Sequence, residues 1–461
     1  MTQHPQKTSL YKALYASLKA DILSGVLSDG EKLPSKRAMA EEKQVSVITV
    51  MNAYEQLLAE GYIRSDERRG YFVSYTGDKQ TAAPALSPAH SPPPCRYDFK
   101  SASTAAEGFP FSTWARLMRE VLTEKDVKLL SAIDPKGVWE LRCQIAKQLS
   151  VLRGLRCEPG QIIIGAGSEY LLGLLYQLLG RRGYALETPG FSKAAKIYDK
   201  LGADVTLVPA DSEGINMSRV SASPGIDVVH VTPSHSFPTG TVTSMRRREQ
   251  LLDWVAADPA RRIVEDDFDS EFRYSGRALP SLYSLDRSDR VVYMNTFTRT
   301  LAPSLRIGYM VLPPALLTEF EENFLFYSST VPALEQHVLA RFIADGSYER
   351  HINRMRKLYR QRRDTLIDAV KRELGDLAEI VGREAGVHLL LRLRGGLTER
   401  AVIEAAREES ILLAGLHEYT SGSDIGEEAL VMNFAGLNEN EIRTAISLLA
   451  ARIRKGTLSE K

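Results

Sequence analysis

Cysteine is scarce. Cys95, Cys143 and Cys157 are the only three in 461 residues. Their odd number and wide spacing exclude a disulfide scaffold or a cysteine zinc site and fit a reducing compartment. No apolar run reaches the length of about 18 residues that a membrane helix needs, and the first residues lack a basic-then-apolar signal pattern. A cytoplasmic protein is expected. An excess of one charge is missing too: 59 basic against 58 acidic residues leave +1, so any surface for a polyanion must be local. What is present, 44% hydrophobic and 25% charged residues, is ordinary globular composition, and the length predicts two or three domains.

The clearest break is TGDKQTAAPALSPAHSPPPCR, Thr76 to Arg96, with five prolines and almost no large hydrophobe. Such a stretch cannot build a core and reads as a linker over 76–96, able to span roughly 60 Å as polyproline or roughly 25 Å as flexible coil. Before it, residues 8–75 form a compact unit. LYKALYASLKADILSG places Leu10, Leu14, Leu18 and Ile22 on one helical face. Ser35 and Ser46 stand as N-caps of a second and a third helix, the third facing Val50, Ala53, Leu57 and Leu58 inward. YIRSDERRGYFVSY then reads as two strands around a charged, glycine-containing turn. Three helices and a hairpin is the order of a winged helix-turn-helix.

After the linker, residues 97–461 alternate strands and helices. QIIIGAG, DVVHVTPSH, RRIVEDDF and RVVYMNTF are short runs suited to a parallel sheet covered on both faces, an α/β domain. A long helix from about Gly346 to Leu374 follows. The last hundred residues, with GVHLLLRL and TERAVIEAAREE, predict a smaller α+β subdomain over about 360–461.

The stretch EKLPSKRAMAEEKQVSVITVMNAYEQLLAEGYI resembles the GntR-type winged helix, which implies binding to double-stranded DNA. The motif sets its second helix in the major groove, while the first helix and the wing hold phosphates. That places Ser46, Thr49, Asn52 and Gln56 toward base edges and Lys36, Arg37, Arg64, Arg68 and Arg69 toward phosphates or the minor groove. Many relatives carry Ser-Arg-Asn-Thr where this chain has Ser46-Val47-Ile48-Thr49, so the operator cannot be read across. A winged helix used only for protein contacts is the bland alternative.

FPFSTWARLMREVL, IIIGAGSEYLLGLL, TPGFSKAAKIYDKLG, VTPSHSFPTG, EDDFDSEFRY and NTFTRTLAPSLRIGY, in that order, resemble fold-type I aminotransferases. Behind such a head they are similar to the MocR/GabR-like regulators. The resemblance implies pyridoxal 5′-phosphate, a homodimer with the head of one chain possible over the large domain of the other, and an effector it does not name. It assigns the phosphate to Gly167, Ser168 and Glu169 at a helix start and to Thr296, Thr298 and Arg306. It assigns the pyridine nitrogen to Asp266, beside Asp267, and the ring face to Phe191.

Three parts depart from the pattern. The Schiff-base lysine position is Arg299, a guanidinium that cannot attack an aldehyde. The tyrosine that meets the cofactor's 3-oxygen is Phe268, and the arginine that binds a substrate carboxylate is Val431. A regulator with no transamination and no covalent cofactor is therefore expected, its pocket holding pyridoxal phosphate non-covalently or not at all. The alternatives are a working aminotransferase with a DNA-binding appendage and a ligand-free dimerisation scaffold.

Smaller features carry their own readings. Arg299 serves either as a fork for phosphate or carboxylate or as a structural partner of Asp266 or another pocket carboxylate. Lys193 is a rim residue rather than a surrogate amine. His230 and His235 lack a carboxylate to complete a metal set, so no metal is expected and His235 is assigned to the pocket lining. The basic run Arg350 to Asp364 reads as a solvated helix face, with auxiliary contact to DNA backbone as the alternative.

Overall fold

The computed structural model describes residues 10–75, 95–101, 104–124, 127–276, 279–420 and 426–459. Most of the proline-rich segment 76–96 lies outside them. The chain divides into two compact units, Met1–Pro92 and Pro93–Lys461.

In the first unit, helices α1 (Leu10–Leu23), α2 (Lys36–Glu42) and α3 (Val47–Ala59) precede an antiparallel hairpin of β1 (Ile63–Asp66) and β2 (Gly70–Val73). Both expected N-caps form. Ser35 Oγ accepts from the Ala38 N–H at 3.2 Å and Ser46 Oγ from the Thr49 N–H at 3.1 Å, each satisfying a helix-start donor. Leu14, Leu18, Ile22, Val50, Ala53 and Leu57 make the core. Two expected core residues do not: Leu10 is 66% and Leu58 40% exposed. Tyr54 is buried on α3 instead, because its hydroxyl finds the Pro34 carbonyl at 2.9 Å and so enters the core with its polar end satisfied.

The second unit begins with β3 (Tyr97–Asp98). Its central sheet has eight strands: β4 (Ile162–Gly165), β5 (Gly183–Thr188), β6 (Asp204–Asp211), β7 (Gly214–Ile215), β8 (Ile226–Val231), β9 (Arg262–Asp266), β10 (Val291–Thr296) and β11 (Gly308–Val311). Their spatial order is β4-β11-β10-β9-β8-β5-β6-β7. The pairs are parallel except around β11, which runs against both neighbours, and at the edge strand β7. Every residue of β4, β5, β10 and β11 is buried, as strands covered on both faces require. A smaller antiparallel sheet follows, built of β12 (Ala378–Val381), β13 (His388–Leu393), β15 (Ala414–Gly415) and β16 (Ala429–Asn433) in the order β12-β13-β16-β15. The short β14 (Ile411–Leu412) pairs with β3 and ties the start of the unit to its end. Among the described residues no helix is long and apolar enough to cross a membrane.

The long helix Ser347–Glu373 qualifies one expectation. Its basic run has a solvated face, with Arg350, Arg354, Lys357 and Arg360 exposed, but several of its guanidiniums also bond within the unit. Arg354, Arg356, Arg360 and Arg363 donate to the carbonyls of Gly108, Glu271, Tyr274 and Arg383, and the buried Arg362 reaches the Ala435 carbonyl and Glu107. These guanidiniums fasten neighbouring segments to the helix and are already engaged within the unit.

Candidate functional site

In the head, Ser46, Asn52, Arg37, Arg64, Arg68 and Arg69 are exposed, and Thr49, Gln56 and Lys36 are partly so. Thr49 shares a 2.9 Å hydroxyl contact with Ser46, and Gln56 donates to Glu60 at 3.1 Å. The wing is organised on one ring. The Arg64 and Arg69 guanidiniums lie 5.8 and 5.9 Å from the Phe72 centroid and the Lys32 ammonium 6.0 Å from it. Arg68 takes the turn itself in a left-handed conformation, φ 61°, between Asp66 and Gly70. Sequence reasoning passed over Lys32, and also Val47 and Ile48, which open α3 at 46% and 66% exposure. Apolar side chains left in water at the start of a recognition helix suit a thymine methyl.

In the second unit, the sheet register gathers the pocket. Thr296 pairs with Gly308, which pairs with Gly165, so the end of β10 stands two strands, about 10 Å, from the start of helix Ser168–Leu179. Gly167 precedes that helix at φ 85°, where a Cβ would lie 2.7 Å from Arg306 Nη2. The positive φ is what favours glycine here, since the flexible Arg306 side chain could shift away from a Cβ. Arg306, itself left-handed at φ 50°, donates to the Ala166 carbonyl at 3.3 Å and lies 3.8 Å from Glu169. Glu169 also pairs with the exposed Lys193, which holds that lysine at the rim.

Asp266 ends β9 opposite Met294. It is 4% exposed, its Oδ2 lies 3.8 Å from His230 Nε2, and its Oδ1 has no hydrogen-bond partner. His230 in turn meets the Tyr198 hydroxyl at 3.2 Å. Asp267 differs. Arg153 stands 2.9 Å away, and the Tyr293 and Ser270 hydroxyls donate to it at 2.7 and 2.8 Å. Burial would raise its pKa, but Arg153 and these donors hold it below the usual range. Each of the adjacent pair keeps one buried oxygen without a hydrogen-bond partner, but Asp267 is neutralised by Arg153 whereas Asp266 has only His230 near it. Phe191 opens the helix Ser192–Leu201, 6.5 Å from the Phe237 ring.

Arg299 lies in the turn after β10, between Thr298 and Thr300. Its Nη1 is buried without a partner, and among the described residues no carboxylate comes within ion-pair distance. The expected pairing with Asp266 does not form. Burial lowers its pKa from the usual arginine range, and the nearby Asp269, Tyr359 and Tyr419 act against that. Asp269 is already bonded to His235 Nδ1 at 2.9 Å. The His235 ring lies 4.5 Å from that of His388, a β13 residue that sequence reasoning missed. Ligand atoms of His235, Asp269 and His388 fall within 4.8 Å of one another, a grouping of His235 with a carboxylate and a second histidine that leaves out His230. Burial, with His235 and Arg299 adding to it and the Pro238 carbonyl opposing, holds His388 well below the usual histidine range. Phe268 stands 6.5 Å from both His235 and Phe237. Val431, opposite Leu390 on β13, packs with Leu390, Leu416 and Ala429 in an apolar cluster that Phe237 and Tyr419 close.

Behind the pocket, Glu265, Asp267 and Glu271 crowd Arg153. Burial first, then Asp267, push both glutamates up to about 7. Leu282 and Tyr283 N–H groups bond Glu265 at 2.9 Å, whereas Glu271 Oε2 has no partner and its Oε1 receives only Asn295, at 3.3 Å. A raised folded-state pKa means the native chain binds more protons than the unfolded one between about 4.3 and 7, so stability falls as pH rises through that window. Glu271→Gln is expected to flatten this slope and recover roughly 1–3 kcal/mol above pH 7. Urea midpoints from about pH 5 to about pH 8 check it.

Residues 10–73 match the model of bacterial regulatory proteins of the gntR family, and residues 102–449 match aminotransferase class I and II. The probable rhizopine catabolism regulatory protein MocR of Rhizobium meliloti is 33% identical over 95% of this chain and 93% of its own. This chain is a MocR-type transcription regulator. An uncharacterized HTH-type transcriptional regulator of Bacillus subtilis, YhdI, is 37% identical over 96% of this chain and 95% of its own. The pyridoxine biosynthesis regulator PdxR of Corynebacterium glutamicum is 28% identical over 98% and 97%. Among solved structures, an archaeal alanine:glyoxylate aminotransferase superposes with a TM-score of 0.70 at 23% identity, covering 78% of this chain and 91% of its own. The regulator's second unit thus has the fold-type I aminotransferase architecture.

Proposed function

We propose that this MocR-type regulator binds its operator as a homodimer and senses a ligand in the aminotransferase-like pocket without covalent cofactor and without transamination. Arg299 carries the reading. A Schiff base needs a neutral amine, and a guanidinium offers none. Phe268 and Val431 support it, since both lack the polar groups that would hold cofactor and substrate, and Val431 is absorbed into apolar packing. The binding half of a pyridoxal phosphate site is still provided for: Gly167, Ser168, Thr296, Thr298 and Arg306 for phosphate, Asp266 for the ring nitrogen and Phe191 for the ring face. When bound covalently, that cofactor supplies an electron sink to amino acid chemistry; the residues here suit retention alone.

Control of DNA binding then needs only a ligand that favours one arrangement of the two heads over another. The 76–96 segment serves as the tether, long enough for a head to lie over the partner's large domain. Specific binding to a repeat upstream of its own gene, in preference to random DNA at physiological salt, tests the regulator reading. For the pocket, borohydride treatment in the presence of pyridoxal 5′-phosphate followed by intact-mass measurement is expected to give no added cofactor mass. A stable adduct on any lysine would refute non-covalent sensing and bring Lys193 back into consideration.

A further inference from the structure

We propose that a second cavity, apart from the aminotransferase-like pocket, binds a small zwitterion, its ammonium on Glu271 and its carboxylate on Arg273. The cavity measures about 230 Å³ and both residues line it. Tyr293 of β10 and Tyr309 of β11 reach it from the sheet, Leu152 from the helix Trp139–Arg153, and Tyr348 and Arg356 from the helix Ser347–Glu373. It shares Thr296 with the phosphate-side residues, but none of Asp266, Arg299, Arg306 and Phe191 lines it. Its volume falls below the roughly 300–1,000 Å³ of pockets for drug-sized ligands, which limits the occupant to a smaller molecule.

One end of the cavity asks for a cation. Glu271 Oε2 is buried with no hydrogen-bond partner, and Oε1 receives only the Asn295 amide, at 3.3 Å. Burial first, and the Glu271 carboxyl second, push the Tyr309 and Tyr348 hydroxyls well above the usual range, so that carboxyl stands beside both rings. Phe297, also in the lining, lies 5.8 Å from the Tyr309 ring and 5.7 Å from that of Tyr348. A carboxylate among aromatic rings is the surrounding an ammonium takes, by ion pair and by cation–π attraction. Such a neighbour would also favour the ionised form of Glu271, which burial and then Asp267 oppose.

The other end asks for an anion. A Cβ on Gly276 would lie 3.4 Å from Arg273 Nη2, so this guanidinium stands at Gly276, an exposed member of the lining as Leu152 is. The other two guanidiniums of the lining are engaged. Arg153 stands 2.9 Å from Asp267, and Arg356 donates to the Glu271 carbonyl and to Asn353, each at 3.0 Å, whereas Arg273 Nε is buried without a partner. A simple amine would answer Glu271 and leave Arg273 unmet; a simple acid would do the reverse. One short molecule with both groups answers the two together.

The test titrates the full-length protein by calorimetry and thermal shift with straight-chain amino acids from glycine to 5-aminopentanoate, and with butylamine and butanoate as their separate halves. One member of the series is expected to bind at least roughly tenfold more tightly than either half. Glu271→Gln should weaken that binding by roughly tenfold or more, while its urea midpoint shows that the chain remains folded. Arg273→Met should cost as much and Arg273→Lys less. The same titration in Arg299→Met, which alters the other pocket, locates the ligand. An affinity lost there and kept in Glu271→Gln puts the amino acid in the aminotransferase-like pocket and overturns the proposal. So does the absence of binding by every member of the series, or an affinity that butylamine or butanoate alone matches.

Discussion

Removing the two wing-tip cations is expected to weaken binding to every duplex alike, by roughly thirtyfold near physiological salt, and to lower the slope of log K against log salt by about two. The magnitude follows from counterion release, with one phosphate contact assigned to each of Arg68 and Arg69. The variants must respect the backbone. Arg68 sits at φ 61°, a strain that alanine keeps, since it retains the Cβ, and that glycine would relieve. Arg68→Ala with Arg69→Ala is therefore the pair that isolates charge. Phe72 keeps Arg64 and Lys32 against its ring in that variant, so the wing retains its shape and part of its charge. Asn52→Ala, exposed on α3, should act in the opposite way, changing which sequences are preferred with little effect on the salt slope. Fluorescence anisotropy over a salt series, on operator and random duplexes, reads both. An unchanged slope in the double variant would remove the wing from the DNA interface.

The head was legible because its signals are local. The apolar positions recur at helical spacing and the caps at Ser35 and Ser46 are read from neighbouring residues. The errors there, Leu58 for Tyr54, arise because a pattern scores a tyrosine as polar, while its buried hydroxyl is satisfied by Pro34, twenty residues away. The large unit's strands were legible for the same reason, as short buried runs. Its pocket was legible only where one strand end supplies the residues, as with Asp266 and the Thr296–Arg306 segment. His388 and Tyr419 come from the small sheet and its following turn, more than eighty residues beyond Arg299 in the chain, and no spacing announces them. Asp269 was in view, three residues past Asp266, but only the fold brings it to His235. The solvated face of the run Arg350 to Asp364 was legible, but its bonds from guanidinium to carbonyl were not, because they depend on segments such as Tyr274 and Arg383 that sequence alone does not place beside it.

Arg299→Lys is expected to restore a covalent lysine link to pyridoxal 5′-phosphate, seen as a visible absorbance band removed by borohydride, yet to leave transamination negligible. The return of the link follows from what is already there. Asp266 keeps an unpartnered oxygen for the ring nitrogen, Arg306 stands at the helix start against the Ala166 carbonyl, and a lysine surrounded by the same buried neighbours would lose proton affinity, which favours its neutral, nucleophilic form. Turnover asks for more. Phe268 has no hydroxyl to bond the ring's 3-oxygen, and Val431 lies in an apolar cluster with Leu390 and Leu416, where nothing can orient a substrate carboxylate. Missing orienting groups cost orders of magnitude even when the reactive group is in place, roughly 10²-fold or more for each. The measurement is single-turnover conversion of the bound cofactor to its amine form with a panel of amino acids. Slow conversion in Arg299→Lys, accelerated when Phe268→Tyr and Val431→Arg are added, would assign the lost chemistry to these three positions. Rapid conversion in the single variant would mean that Phe268 and Val431 are misassigned, and that one side chain alone separates this regulator from an enzyme.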